Sequence, residues 1–139
     1  MDETQGELIV PAQVAYLDEA QAFIDDKLTA AGFSTKSKIK IAIAVEEIFV
    51  NIATYAYAPA SGDVRILFSF TPAGAAAITF IDSGVPYDPL TKPDPDVTLQ
   101  ADARGVGGLG IYMVKKSMDD MRYAYLNGQN RLTLIKGTD

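Results

Sequence analysis

The stretch "RGVGGLGIYMVKK" (residues 104–116) places four glycines, Gly105, Gly107, Gly108 and Gly110, directly before an apolar helical run. A glycine-rich loop that opens a helix favours an anion, because bare backbone N–H groups and the helix dipole both point at it. Two familiar phosphate loops match the spacing, and both fail on context. Gly105-x-Gly107-x-x-Gly110 fits a dinucleotide fingerprint, which needs a strand immediately before it and an acid-bearing strand after the helix. Here a Pro- and Asp-rich segment precedes it, and too few residues follow. The Gly105 to Gly110 spacing also fits a P-loop, but Ile111 and Tyr112 stand where that loop requires Lys and then Ser or Thr. Taken alone, the stretch is either another kind of phosphate loop or a glycine-rich turn without a ligand.

Composition narrows the chemistry. The chain has 139 residues, 48% hydrophobic and 22% charged, which suits one globular domain with a real core. A net charge of −6 argues against a nucleic-acid binder, which carries a basic footprint. There is no cysteine and no histidine. Disulfides, thiol chemistry and Ser-His-Asp or Cys-His catalysis are therefore excluded, and a general base must be a carboxylate, lysine or tyrosine. No run of eighteen apolar residues is present and the first residues are acidic, so the expectation is a cytoplasmic protein without a membrane span or signal peptide.

Working outward, residues 7–12 read as a strand stopped by Pro11. Residues 13–32 carry a helical period through Val14, Leu17, Ala20, Phe23, Ile24 and Leu28, with Gly32 as the stop. Residues 34–57 read as a second helix, with a Ser/Thr cap and an apolar run long enough to be largely buried. Strands at 64–72 and 75–84 form a hairpin about Pro72-Ala73-Gly74, and strands at 120–127 and 130–136 form another about Asn127-Gly128. Residues 86–106 form a long irregular loop, of a length that in small domains usually marks a lid. The order predicts an α+β fold, a two-layer sandwich with helices on one face of a mixed, mostly antiparallel sheet.

Two further segments bear on the glycine loop. In "VEEIFVNIATYAY" (45–57), Glu47, Asn51 and Tyr55 follow at i, i+4 and i+8 on one helix face, beside the apolar stripe Ile41, Val45, Ile48 and Ile52. Such polar groups either hydrogen-bond within the core or form a site, with Glu47 as a base and the Asn51 oxygen as a ligand to Mg²⁺. Glu46 is the competing carboxylate, about 100° away around the helix and without an Asn four residues on. In "FIDSGVPYDP" (80–89), Asp82 ends an apolar strand and Gly84 follows. That is either a plain strand-end turn or a carboxylate placed to accept an exocyclic amine, with Gly84 allowing close approach to a ring. Arg104 adds positive charge beside the glycines.

These three segments, in this order, resemble the N, G1 and G2 boxes of the Bergerat (GHKL) ATP-binding fold. Within that superfamily the chain most resembles the anti-sigma-factor serine/threonine kinases of bacterial partner switching, over about residues 7–136. The resemblance implies one histidine-kinase-like ATPase domain across 1–139, with 86–106 as the ATP lid. It implies ATP and Mg²⁺ as cofactors, Glu47 as general base, Asn51 as metal ligand and Asp82 with Gly84 at adenine. Gly108 and Gly110 would cradle the phosphates, with Arg104 as a lid arginine. The partners implied are a sigma factor and an anti-anti-sigma (STAS-type) protein that is phosphorylated; relatives often form homodimers. The other class of function is a non-catalytic ATP-binding partner-switch module. Two positions depart from the family pattern: Tyr55 stands where many members have histidine, and Gln129-Asn130 replaces Gly-Thr at the start of the last strand.

Overall fold

The structure is a computed structural model that describes residues 3–58, 60–91 and 108–138. The elements run β1 (Glu3–Pro11), α1 (Leu17–Ala30), α2 (Thr35–Asn51), β2 (Asp63–Phe70), β3 (Ala76–Asp82), α3 (Gly108–Ser117), β4 (Asp120–Leu126) and β5 (Gln129–Lys136). Short 3-10 turns at Val14–Tyr16 and Pro89–Thr91 precede α1 and follow β3. The strands form one sheet in the order β1-β2-β3-β5-β4. Every pairing is antiparallel, where the sequence pointed to a mixed, mostly antiparallel sheet. Because β5 lies between β3 and β4, those two strands run the same way, and α3 lies on the crossover between them.

Local chemistry sets the element ends. Phe33 N–H bonds back to the Leu28 carbonyl at 3.1 Å across Gly32, whose φ of +82° a side chain would oppose. Ser34 Oγ accepts the Ser37 N–H at 3.1 Å and caps α2. Asn127 and Gly128 both have positive φ, 53° and 76°, as a type I′ turn between β4 and β5 demands. Strand β1 starts earlier than its apolar pattern suggests. As an edge strand it pairs through backbone groups, with a register shift between Thr4 and Gly6, and needs no apolar side chains to do so.

Alternation along the strands puts Val64, Ile66 and Phe68 of β2 and Ile78 and Phe80 of β3 on the helix side. Against them pack Ala20, Ile24 and Leu28 of α1, Ile41, Val45, Ile48 and Phe49 of α2, and Ile111, Val114 and Met118 of α3. Val14 belongs to the turn before α1 and is exposed, so it is not on that helix's buried stripe. Helix α2 is one-sided rather than largely buried, since Ile39 and Ile43 face solvent. Among the described residues no helix is long and apolar enough to cross a membrane.

Cross-strand register also places the polar residues. On the helix side one row reads Val10, Val64, Asp82, Asn130 and Tyr125, so two polar residues share the inner face at one end of the sheet. Removing the fully buried Phe49 should leave a cavity where α2 meets the sheet. Phe49→Ala is expected to lower stability by about 3–5 kcal/mol in urea unfolding.

Candidate functional site

Helix α2 supplies one side of the site. Asn51 Nδ2 donates to Glu47 Oε2 at 2.9 Å, one helical turn away. The donor side of the amide is thereby committed to the carboxylate, which leaves Oδ1 as its acceptor pole. Glu47 is half-buried and Glu46 is exposed. A Cβ on Gly110 of α3 would overlap the Glu47 carboxylate, so the glycine makes room for it. Beyond Asn51 the helix widens into a π turn, Ile52–Ala56, a feature often found at functional sites. Tyr55 in that turn is 56% exposed. The same turn presents the Ala56 carbonyl to the Val85 N–H at 2.9 Å.

Strands β3 and β5 supply the other side. Asp82 is only 6% exposed. Its Oδ1 accepts the Gly84 N–H at 2.9 Å and Asn130 Nδ2 at 3.0 Å. Among the described residues Oδ2 has no hydrogen-bond partner. A Cβ on Gly84 would overlap the backbone carbonyl of Ala56, so the glycine lets the turn close on the π turn. Tyr57 locks the same corner, its hydroxyl donating to the Asp63 carbonyl and accepting the Ser83 N–H, both at 2.7 Å.

Asn130 is buried and spends its whole amide. Besides Asp82, its Nδ2 donates to the Val85 carbonyl at 2.9 Å. Its Oδ1 accepts the Tyr87 N–H at 3.0 Å and the Tyr123 hydroxyl. This side chain thus joins β5, β3, β4 and the loop after β3, a role the sequence reading did not assign it. The available signal was a polar residue at an inward position of an alternating strand. The π turn left no such signal.

Between the two sides lies a cavity of about 410 Å³. That volume is within the range of small-ligand sites. Ile48, Ile52, Phe80, Ile111 and Leu132 make it apolar, and Asn51, Asp82, Tyr123 and Asn130 are its polar points. Val85, Pro86, Tyr87 and Pro89 close one wall. The beginning of the 86–106 segment is therefore part of the cavity, whereas residues 92–106, with Arg104, lie outside the described residues. Gly108 is the first residue of α3, and Gly110 sits one residue before Ile111 of the cavity lining. Among the described residues no cluster of three or more His, Cys, Asp or Glu could hold a metal by itself.

Burial pushes the Tyr123 hydroxyl above its ordinary pKa, assisted by the Asp88 and Asp82 carboxylates and partly opposed by the Tyr87 N–H. The neutral phenol is thus the form that this site holds.

Comparison with known proteins places this architecture. Residues 10–136 match the histidine kinase-like ATPase domain family. Similar proteins include the serine-protein kinase RsbW of Listeria monocytogenes, 25% identical over 126 residues, which cover 87% of this chain and 80% of that protein. The serine-protein kinase RsbW of Bacillus cereus is 25% identical over 130 residues, covering 91% and 81%. A crystal structure of the RsbU and RsbW domains of a Mycobacterium tuberculosis protein superposes with a TM-score of 0.65 at 16% identity. That superposition covers 96% of this chain and 32% of the other, so the chain spans about a third of that structure and shares its fold.

Two outcomes are expected from this geometry. Gly84→Ala should force the loop and the π turn apart and cost about 1–3 kcal/mol in chemical unfolding. In an alkaline absorbance titration one of the seven tyrosines should ionise after the rest, and Tyr123→Phe should remove that late component. Since the folded pKa is raised, the stabilisation is present below the unfolded value of about 10 and is lost as pH climbs through the folded one. A titration in which Tyr123→Phe changes only the amplitude of the main component would contradict it.

Proposed function

The chain belongs to the histidine kinase-like ATPase domain family, and from that premise we propose that it is an ATP-dependent serine/threonine protein kinase acting as an anti-sigma factor. It holds a sigma factor inactive in the cytoplasm and phosphorylates a STAS-type anti-anti-sigma protein on a hydroxyl. Residues 1–139 act as one ATP-binding domain. The observation that supports this reading best is one cavity lined both by a buried, half-satisfied carboxylate on β3 and by Asn51 of α2, whose amide is bonded to Glu47. A nucleotide sensor needs the first; a coupled acid and amide suits group transfer.

In this reading Asp82 Oδ2 accepts the exocyclic amine of adenine, and the apolar walls sandwich the base. Gly108 and Gly110, at the start of α3, leave backbone N–H groups open to the phosphates, and Arg104 adds charge from the lid. Asn51 Oδ1 fits as a ligand to Mg²⁺, which takes few protein oxygens and keeps phosphates and waters as its other ligands. When bound, the ion offsets negative charge on the phosphates. Glu47 takes the proton of the acceptor hydroxyl as its oxygen attacks the terminal phosphorus of ATP and ADP departs. The hydrogen bond from Asn51 holds the carboxylate in one rotamer for that task.

The test is transfer of labelled phosphate from ATP to the anti-anti-sigma partner, read beside calorimetric nucleotide binding. Glu47→Ala should keep ATP and partner binding and lose about a hundred- to ten-thousandfold in transfer rate. Asp82→Asn should weaken ATP about ten- to hundredfold in a folded protein. A wild-type protein that binds ATP and partner without transferring phosphate would make this a non-catalytic ATP-binding switch module instead.

A further inference from the structure

Asp82 has two carboxylate oxygens, and which of them meets a ligand is decided outside Asp82 itself. The cross-strand register sets Asn130 directly opposite Asp82. Its Nδ2 holds Asp82 Oδ1 at 3.0 Å, and the Gly84 N–H holds the same oxygen at 2.9 Å. That oxygen is committed twice, and Oδ2 is the acceptor left over. Asn130 cannot turn its amide over to relax this arrangement. Reversal would place Oδ1 against the Val85 carbonyl and the Asp82 carboxylate, and would set Nδ2 against the Tyr87 N–H. Each contact would change from attractive to repulsive inside a nearly buried cluster.

We propose that Asn130 is a positioning residue for base selectivity: by clamping Asp82 in one orientation, it makes the cavity accept a base with an exocyclic amine and reject one with a carbonyl there. The inference rests on the ATP-binding reading and goes beyond it. A mobile carboxylate could swing away from a carbonyl edge at little cost. A clamped one cannot, so the wrong base meets an uncompensated acceptor–acceptor contact. The clamp also reaches the cavity wall, since the same amide ties down Val85 and Tyr87.

The experiment compares ATP with ITP, which carries a carbonyl in place of the amine, by calorimetry with the full chain. Wild type should prefer ATP by about a hundredfold or more. Asn130→Asp is nearly isosteric and turns the donor into an acceptor. The new carboxylate opposes Asp82 and releases it from its single orientation, so the preference for ATP over ITP should drop at least about tenfold. A merely structural role weakens both nucleotides alike and leaves their ratio unchanged. Asn130→Asp that keeps the wild-type ratio overturns the assignment. Should that variant fail to fold, Asn130→Thr serves, with an ATP-over-ITP preference expected to drop at least about tenfold; an unchanged preference overturns the assignment. Wild type that binds no ATP overturns the functional reading as well, which separates the two failures.

Discussion

A carboxylate on the inner face of a sheet has to be compensated, and much of this site is arranged around that requirement at Asp82. At 6% exposure, Asp82 cannot rely on water. The backbone N–H of Gly84 and the amide of Asn130 compensate one oxygen. The first requires a turn immediately after β3, and the turn brings Gly84 against the Ala56 carbonyl of α2's extension. The second requires β5 to lie beside β3 in a register that sets residues 82 and 130 opposite each other. Helix, turn and strand order are thus coupled through one charged side chain.

The opposite wall follows a simpler logic. Glu47 and Asn51 need only a regular helix to meet, because residues four apart share a face. The backbone carbonyls at the end of a helix have no partner within it, and one of them can face the loop after β3. The π turn at Ile52–Ala56 supplies that carbonyl at Ala56. Gly110 then lets α3 approach until the Glu47 carboxylate rests on it. The acid is therefore oriented from its own helix and confined from the next, the kind of support that a group acting on a proton needs.

Relatives at 25% identity share the serine-protein kinase name, and the fold agrees with a solved RsbW-containing structure at 16% identity. Within this chain Asn130 gathers one corner of the pocket: its amide offers two donors and an acceptor and reaches four partners, more than a single hydroxyl could hold.

What was legible in the sequence was what short-range physics controls. The Ser34 cap, the Gly32 stop, the Asn127-Gly128 turn and the alternation of β2 and β3 each depend on neighbours within a few residues. So does the placing of Glu47 and Asn51 on one helix face, although their hydrogen bond to each other was not foreseen. The apolar period misplaced Val14 and overestimated the burial of α2, because periodicity marks which residues are apolar and not which of them find a partner. Only the tertiary structure decided the rest. The insertion of β5 between β3 and β4, the closure of Gly84 on Ala56, the seat of Glu47 on Gly110 and the pairing of Asp82 with Asn130 all join residues far apart in the chain. Such contacts depend on how whole elements pack, and no local pattern encodes which distant residue will complete a buried charge.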